Sequence, residues 1–523
     1  MSKHTSFSLF YVAFISLIAA LGGFLMGFDA SVISGVVKFI EPEFGLTKLQ
    51  LGWAVASLTL TATLAMMISG PLADKFGRKT VLKVAAFLFL LSAVLSAVAP
   101  SFLILVLARM LGGFGVGAAL IIAPMYIAEI APAKFRGRLV SLNQLNIVIG
   151  ISAAFFTNYL ILQLGSATTP EQDTWNIQQW NWRWMLGLEA IPALLYFFCL
   201  NFVPESPRWL LLKNRPDEAK QVLCKTVPEA ELEDTLNSIE AGLKQDNQQQ
   251  QTSLLTLLKP KMRLVMIIGI SIAILQQITG INAVFFYAPM IFEQSGFGTD
   301  ASFMQAVLVG LINLLFTVFA ILLIDKVGRK ALLIFGVSGI AVCMAMMAFQ
   351  FGQASYQLDA KALTEIPVEI SHESQTALTQ TTYMNDLQFK AALVTHLGAD
   401  IALKHESELI AASVNVNQKW VLISLLGFVA CFAISLGPVM WVLFSELFPN
   451  RIRGIAISFV GLINSAVSFL VQLIFPWEIA TLGVTYTFAF YAIFALIGLA
   501  IIIYYLPETK GKSLEELEHI LVR

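Results

Sequence analysis

The feature that most constrains this chain is the duplication of a set of charged motifs between long apolar segments. Each half carries Asp-Lys-x-Gly-Arg-Lys, then Glu-x-x-Pro-x-x-x-Arg-Gly and finally a Pro-Glu pair, in the same order. The motifs begin at Asp74, Glu129 and Pro204 in the first half and at Asp325, Glu446 and Pro507 in the second. Such a duplication predicts a membrane protein built from two repeats, an arrangement typical of transporters whose site lies between the repeats.

The composition agrees with a membrane location and argues against several other classes of protein. Hydrophobic residues make up 57% of the chain and charged residues 13%, against roughly 25% charged residues in soluble domains. The net charge of −1 argues against a nucleic-acid partner. The four cysteines lack the spacing of a metal site or of a disulfide framework, so we expect them to fill apolar space. No metal and no cofactor are expected.

The apolar segments define the expected fold and domains. Segments of about 20 residues predict twelve transmembrane helices, and hence an all-α membrane protein of two pseudo-symmetric six-helix bundles. The sixth helix is expected over 183–203, and the polar linker carries helical stretches around Pro216–Thr226 and Pro228–Leu243. The predicted domains are a first bundle over 1–203, a linker over 204–262, a second bundle over 263–506 and a tail over 507–523.

The distribution of basic residues predicts the orientation of the chain. With the N-terminus inside, most Lys and Arg residues fall on the inner side of the membrane. We therefore expect a multi-pass protein of the plasma (inner) membrane with both termini in the cytoplasm. The first span contains Asp29 and is not followed by a cleavage site, so it is interpreted as a retained helix and not as a signal peptide.

The second half carries a long polar insertion over 353–417, which the duplicated motifs place on the outer side. Within it, the apolar residues of Asp386–Leu397 have a spacing that predicts a short amphipathic helix. Long insertions in exposed loops cost little entropy. We expect a small helical cap that is dispensable for the activity of the protein, and a role in access or in partner binding stays open.

Two charged residues stand alone inside predicted transmembrane helices, Asp29 in the first and Arg109 in the fourth. A charge at this depth costs about 2.5–3.5 kcal/mol on insertion scales, so a function is the default interpretation. The pair predicts a proton site, in which neutralising Asp29 releases Arg109 and changes the packing of the two helices. A structural ion pair that never titrates is the alternative.

Neutral polar residues form a second group within the spans. Amides donate and accept hydrogen bonds without carrying charge, so a ring of amides beside an aromatic face suits a neutral ligand with several hydroxyl groups. Hydrogen bonding between helices is the alternative for each single amide. Gly280, and Gly437 with Pro438, are expected to unwind their helices beside the site. The candidate binding residues are Gln144, Gln276, Gln277, Asn282, Asn313, Trp441 and Asn464.

The duplicated motifs supply charges at the predicted cytoplasmic helix ends. Opposite charges can pair there while the site faces outward and separate when it opens inward, which predicts a cytoplasmic gate. The alternative is that these residues only mark the topology and anchor the helix ends. The residues of this candidate gate are Asp74, Arg78, Glu129, Arg136, Glu205, Arg208, Arg329, Glu446 and Arg453.

Several ordered motifs together carry a resemblance to a known family. They are Gly70–Lys79, Arg109–Gly117, Pro124–Glu129, Pro204–Arg208, Gln276–Asn282, Gly437–Trp441 and Pro507–Gly511. Over nearly its whole length the chain resembles the sugar porters of the major facilitator superfamily. The resemblance implies the major facilitator fold, transport by alternating access and a small neutral sugar as the substrate.

The resemblance also implies roles for individual residues. Asp29 matches the acid of proton-coupled members, where the glucose facilitators have a neutral residue, and Arg109 matches its partner. The implied function is import of a pentose or hexose together with protons, by a monomer in the lipid bilayer. Positions that contact sugar in the family match Gln144, Gln276, Gln277, Asn282, Asn313 and Trp441.

Departures from the family pattern keep alternatives open. Ala433 replaces a glutamate of the mammalian glucose facilitators, and Ser465 follows Asn464 where many members have tryptophan, so the preferred sugar stays open. Mammalian proton–inositol symporters share the long outer loop, which makes inositol or another polyol an alternative substrate. An uncoupled sugar facilitator is a further alternative.

Other functional classes have less support. A channel would need a continuous polar pore, and a membrane enzyme would need a nucleophile or a metal cluster, for which the sequence offers no candidate. The glycine-rich Gly112–Gly117 lies within a predicted span, and Gly511-Lys512-Ser513 lacks the earlier glycine of a phosphate-binding loop. We therefore expect a transporter and not an enzyme.

Overall fold

A computed structural model of the chain describes residues 8–132, 134–167, 173–248, 256–257, 259–358, 372–449, 452–510, 512 and 516. The predicted all-α class is confirmed, since the strands among these residues are two segments of two residues each, which form one antiparallel pair within the insertion. Eleven helical spans of the described residues are long and apolar enough to cross a membrane. Two of them, Pro260–Gln294 and Gln418–Leu447, are each interrupted by a short break. Parts of the predicted linker, insertion and tail lie outside the described residues.

The first half contains five continuous apolar helices and one divided helix. The continuous helices are α1 (Leu9–Phe44), α2 (Lys48–Phe76), α3 (Arg78–Ala97), α4 (Phe102–Ile130) and α5 (Arg136–Ala167). The sixth predicted span consists of α6 (Asn181–Gly187) and α7 (Ala190–Cys199), which Leu188 and Glu189 separate. Neither part is long enough to count among the eleven spans, although the position of the divided helix agrees with the prediction.

The described part of the linker forms three α-helices, two of which start with proline. They are α8 (Pro207–Leu212), α9 (Pro216–Thr226) and α10 (Leu232–Gln248). Proline is tolerated in the first turn because the N–H that it lacks would have no partner in the helix. The Ser206 side chain caps α8 by accepting a hydrogen bond from the Trp209 N–H. The predicted stretch at Pro216–Thr226 is confirmed, and the second one starts at Leu232 after a 3₁₀ turn.

The second half begins with four helices, of which the first two are halves of one span. They are α11 (Arg263–Ile278), α12 (Ile281–Gln294), α13 (Thr299–Val327) and α14 (Arg329–Gly352). Between α11 and α12, Gly280 has φ 90° and ψ 15°, the left-handed conformation that glycine adopts without strain. The predicted unwinding at Gly280 is therefore confirmed.

The insertion after α14 folds into a small body with its own core, which we name the cap (355–358 and 372–415). Its elements are β1 (Ser355–Tyr356), α15 (His372–Gln380), α16 (Asp386–Leu397), α17 (Ala399–Lys404), α18 (Glu406–Ser413) and β2 (Val414–Asn415). The two strands pair antiparallel, and Tyr356 stacks on Phe389 at 5.5 Å. Phe389 and Leu393 of α16 face the core, which confirms the predicted amphipathic helix.

The last four helices complete the second half. They are α19 (Gln418–Ile434), α20 (Leu436–Leu447), α21 (Arg453–Leu482) and α22 (Val484–Tyr505). The chain leaves the helical conformation at Ser435, where φ is −125° and ψ is −95°. The break lies two residues before Gly437, because Pro438 is accommodated in the first turn of α20, where its missing N–H breaks no helical hydrogen bond.

Contacts divide the chain into two compact units. The first unit is Met1–Ala30, Ser57–Ala154 and Arg183–Ser253, and the second is Ser31–Ala56, Phe155–Trp182 and Leu254–Arg523. In the first unit a core of small and aliphatic residues from α1, α3 and α4 surrounds the buried Phe89, Tyr126 and Tyr196. In the second unit α14 packs along α19 and α22.

Candidate functional site

Asp29 and Arg109 form a buried ion pair between α1 and α4, within the first unit. Arg109 Nη1 donates to the Asp29 carboxylate and, at 3.0 Å, to the Asp29 carbonyl oxygen. Asp29 is 0% exposed and Arg109 is 1% exposed. Gly112 permits this approach, because a Cβ at that position would lie 2.6 Å from Asp29 Oδ2. The structure therefore brings together the two residues of the predicted proton site.

A second carboxylate, which the sequence prediction missed, lies beside this pair. Glu189 stands at the break between α6 and α7, is 1% exposed and interacts electrostatically with Asp29 and Arg109. Among the described residues its Oε1 has no hydrogen-bond partner, and neither has Asp29 Oδ2. Two carboxyl groups and one guanidinium thus share a buried site.

Four of the predicted amides form one hydrogen-bonded network in the second unit. Gln277 Nε2 donates to Gln276 Oε1 and to Asn464 Oδ1, both at 3.1 Å. Asn464 Nδ2 donates to Gln276 Oε1 at 2.8 Å, and Asn282 Nδ2 donates to Gln277 Oε1 at 2.7 Å. The network joins α11, α12 and α21 on the two sides of Gly280. We name these four residues the amide cluster.

Two further polar residues of α21 extend the amide cluster and were not predicted. Asn282 Nδ2 donates to Ser468 Oγ at 2.6 Å, and Gln472 Nε2 donates to the same oxygen at 2.8 Å. Asn464, Ser468 and Gln472 are spaced four residues apart and therefore lie on one face of the helix. That spacing is the signal by which the sequence could have indicated them.

Three other predicted binding residues lie outside this network. Gln144 belongs to the first unit, where it is exposed on α5. Asn313 is buried in α13, and within the described residues no hydrogen bond joins it to the amide cluster. Trp441 lies on α20, is 47% exposed and meets Phe444 edge-on at 6.0 Å.

The first copy of the charged motifs is a compact network in the first unit. Arg78 binds Glu129 with two hydrogen bonds, of 3.0 and 2.9 Å, and binds Asp74 at 2.9 Å. Glu205 Oε1 accepts from the backbone N–H groups of Arg78 and Lys79 at the start of α3. Burial raises the pKa of Glu205, and these N–H groups partly oppose the rise. A carboxylate is favoured at such a helix N-terminus.

The second copy repeats the arrangement in the second unit. Arg329 Nη2 binds Glu446 Oε1 at 2.8 Å. Glu508 accepts from the backbone N–H groups of Arg329 and Lys330, at 3.0 and 3.1 Å, as Glu205 does in the first copy. Sequence reasoning named Glu205 for the gate and missed Glu508, although the repeated Pro-Glu pair indicated it.

The remaining candidate gate residues take other positions. Arg136 and Arg208 line a cavity of about 970 Å³ in the first unit, between the linker helices and the ends of α2 and α4. Arg453 Nε donates to the Phe448 carbonyl at 3.2 Å. Ion pairs or helix-end hydrogen bonds within the two motif copies therefore join Asp74, Arg78, Glu129, Glu205, Arg329 and Glu446 of the predicted gate.

The candidate sites offer amides, hydroxyls and the buried Asp29–Arg109 pair, and the described residues contain no group of His, Cys, Asp and Glu that could hold a metal ion. Amides and hydroxyls can exchange their mutual hydrogen bonds for bonds to a hydroxylated ligand at little net cost, because a donor or acceptor then stays paired. The arrangement fits reversible binding of a neutral polar molecule.

Comparisons with known proteins agree with this geometry. The family model described as "Sugar (and other) transporter" matches residues 15–366 and 389–521. The arabinose-proton symporter of Bacillus subtilis (strain 168) is 33% identical over 522 residues, which cover 99% of this chain and 97% of that protein. The glucose transporter GlcP of Staphylococcus epidermidis is 33% identical over 508 residues, which cover 97% of this chain and 96% of that protein.

A solved structure, the inward open conformation of the xylose transporter XylE from E. coli, matches with a TM-score of 0.74 at 31% identity. The match covers 98% of this chain and 100% of that chain, and it confirms the predicted major facilitator fold. The expectation of a multi-pass membrane transporter, and not an enzyme, is likewise confirmed. The chain belongs to the sugar porter family of the major facilitator superfamily.

Proposed function

We propose that this protein imports a monosaccharide together with protons, by alternating access. The observation that carries the proposal is the buried Asp29–Arg109 pair in a sugar transporter whose amides form a connected network. An uncoupled facilitator has no need of an ionisable pair in its apolar interior. The similarity to an arabinose-proton symporter supports the same coupling.

The ligand class follows from the amide cluster. A pentose or hexose offers a ring of hydroxyl groups, each of which donates and accepts, and the amides match both roles. Trp441 is proposed to contact this sugar through its indole face, and Gln144 of the first unit is proposed to bind sugar hydroxyls through its amide. Asn313 is proposed as a further contact. The relatives named above transport arabinose, glucose and xylose, which supports a monosaccharide more than a polyol such as inositol.

Proton binding is proposed to change how Asp29 holds Arg109. An ionised Asp29 balances the guanidinium inside the first unit, whereas a protonated one leaves Arg109 to find another partner. Glu189 is placed to be that partner, since it is buried and its Oε1 is not hydrogen-bonded within the described residues. Moving the arginine between carboxyl groups would alter the packing of α1 against α4.

The motif copies are proposed to form the gate at the cytoplasmic side, with both termini in the cytoplasm. Each copy joins the start of one helix to the ends of others through Arg78 or Arg329. A gate of this kind opens when charged hydrogen bonds exchange partners or take up water, which costs far less at a helix end than within the membrane.

The test is sugar transport by the purified protein in proteoliposomes. A counterflow screen of pentoses, hexoses and inositols identifies the substrate, and an imposed proton gradient then drives accumulation. Asp29→Asn should abolish uphill accumulation and leave counterflow measurable, while the exposed Asp217→Asn should behave as the wild type. Accumulation by Asp29→Asn under a proton gradient would refute the assignment, and preferential counterflow of inositol would favour the polyol alternative.

A further inference from the structure

The second unit contains a carboxylate within α21 that lies outside the amide cluster and outside the charged motifs. Glu478 is half-buried near the end of this apolar helix, two residues after Pro476. Its Oε2 accepts a hydrogen bond of 3.0 Å from the Tyr491 hydroxyl of α22. Since a carboxylate in a membrane-spanning helix is costly, its presence there indicates a function.

Tyr491 connects Glu478 to the break between α11 and α12. Its side chain is 3% exposed, and its ring meets Phe488 edge-on at 6.3 Å. The ring lies directly on the backbone of Gly280, because a Cβ at Gly280 would come within 2.6 Å of two ring carbons. Any tilt of this ring therefore bears on the backbone at Gly280.

The conformation of Gly280 decides how the two halves of the amide cluster face each other. Gln277 lies three residues before this glycine and Asn282 two residues after it. The Gly280 N–H donates to the Gln277 carbonyl at 3.0 Å, and the Gly280 carbonyl accepts from Val284 N–H at 3.0 Å. Because the chain turns at Gly280, the side chains of Gln277 and Asn282 meet at 2.7 Å.

We propose that Glu478 is a positioning residue for sugar binding, acting through Tyr491 on Gly280. The carboxylate fixes the phenol, the ring supports the left-handed turn, and the turn aligns Gln277 with Asn282 for a neutral polyhydroxylated ligand. Hydrogen bonds to an ionised acceptor are stronger than neutral ones, which suits a carboxylate to hold a ring in place. The inference rests on the proposed sugar site in the amide cluster.

The test compares sugar binding and turnover in variants that remove or retain the Glu478–Tyr491 bond. D-xylose, L-arabinose and D-glucose serve as probes, with Kd measured by calorimetry and kcat by counterflow. Glu478→Ala and Tyr491→Phe should each raise Kd about five- to twentyfold, the loss expected for one charged hydrogen bond, with kcat changed less than about twofold. Tyr486→Phe, an exposed tyrosine of the same helix, is the matched control and should retain wild-type Kd.

A conservative variant and a double variant distinguish a positioning role of Glu478 from a merely structural one. Glu478→Gln keeps an acceptor for the phenol and should stay within about threefold of the wild-type Kd. The double variant Glu478→Ala with Tyr491→Phe should lose no more affinity than either single variant, because both remove the same bond. Additive losses, a Glu478→Gln variant as weak as Glu478→Ala, or lower kcat at unchanged Kd would overturn the proposal.

The two proposals fail differently. If Gln277→Ala and Asn282→Ala also leave Kd unchanged, the sugar site lies elsewhere and the proposed function of the amide cluster is refuted. If those variants weaken binding while Glu478→Ala and Tyr491→Phe do not, the positioning role alone is refuted. Tyr491→Phe preserves the ring and its packing on Gly280, so its result stays interpretable even if Glu478→Ala does not fold.

Discussion

At the scale of single residues, burial and charge decide the chemistry of the first unit. Asp29 and Glu189 are two buried carboxyl groups beside one guanidinium, that of Arg109. The site is electrically balanced only when one carboxyl group holds a proton, since like charges in a low dielectric disfavour each other. Within the described residues Arg109 Nε also lacks a hydrogen-bond partner, so the guanidinium retains a donor for a second acceptor.

The amide cluster yields the first prediction at this scale. Gln277→Ala and Asn282→Ala should each weaken sugar binding by about 1–3 kcal/mol, because they leave sugar hydroxyls or neighbouring amides unpaired. Calorimetric titration of the purified variants measures the change. Gln388→Ala, an exposed amide of the cap, serves as the control. Unchanged affinity in both cluster variants would place the sugar site elsewhere.

Several candidate site residues could be predicted from the sequence because a lone charge or amide in an apolar span has few explanations. Asp29 and Arg109 were identified in this way, as were Gln276, Gln277 and Asn464. Glu189 satisfies the same rule, but its relevance depends on the packing of the break after α6 against α1 and α4. That packing cannot be predicted from hydropathy or from residue spacing.

At the scale of elements, the cap is attached to the rest of the second unit by a partly buried charge network. Glu406 at the start of α18 binds Lys48 at 3.3 Å and Lys390 of α16 at 3.1 Å, and Lys48 also binds Glu41 at 2.6 Å. Burial alone would raise the pKa of Glu406, but Lys390 and Lys48 outweigh it and lower the pKa to about 2. The cap is thereby tied to the ends of α1 and α2.

The second prediction concerns the pH dependence of this attachment. A pKa below the ordinary glutamate value of about 4.3 means that the stabilisation is present above that pH and is lost as pH falls towards 2. Glu406→Gln should loosen the cap by about 3 kcal/mol, because it leaves the two lysines without their shared carboxylate. Hydrogen exchange over 386–413 measures the loosening.

The difference in exchange between wild type and Glu406→Gln should be constant from pH 8 to pH 5 and shrink below pH 4. Glu408→Gln, at a side chain that is 65% exposed, is the control. Equal protection in wild type and Glu406→Gln at pH 7 would show that the network does not hold the cap.

Deleting 358–414 is still predicted to leave transport measurable, since the cap carries none of the proposed binding residues.

The boundaries of helices could be predicted from the sequence where proline, glycine and hydrophobic periodicity coincide. They could not be predicted where tertiary contacts determine the end of an element. The start of α9 at Pro216, the turn at Gly280 and the bounds of α16 all carry such local signals. The division of the sixth span at Glu189 and the pairing of β1 with β2 do not. Two-residue strands in particular depend on contacts made over a long sequence separation, here Tyr356 with Val414.

At the scale of the whole molecule, the duplication produces two copies of the same ion-pair network, and the two copies differ in burial. The Arg78 and Glu129 side chains are 5% and 10% exposed, whereas those of Arg329 and Glu446 are 12% and 22% exposed. Removing one partner of a buried ion pair leaves the other charge uncompensated, and the penalty increases with burial. The two copies are therefore not equivalent in energy.

The third prediction follows from that difference. Arg78→Ala should lower the free energy of unfolding by about 3–5 kcal/mol, and Arg329→Ala should lower it by less. Thermal unfolding in detergent, followed by intrinsic fluorescence, ranks the two variants. Arg215→Ala removes an exposed helix pair with Glu218 and should change stability by less than about 0.5 kcal/mol. Equal losses at Arg78 and Arg329 would contradict the account of burial.

The central claim is that sugar uptake is coupled to protons, which bind at the Asp29–Arg109 pair. The most direct measurement records the internal pH of proteoliposomes with an enclosed fluorescent dye while sugar enters down its gradient. Wild-type protein should acidify the interior in step with sugar uptake, and Asp29→Asn should take up sugar by exchange without acidification. Sugar entry through the wild type without any pH change, or acidification that persists in Asp29→Asn, would contradict the account.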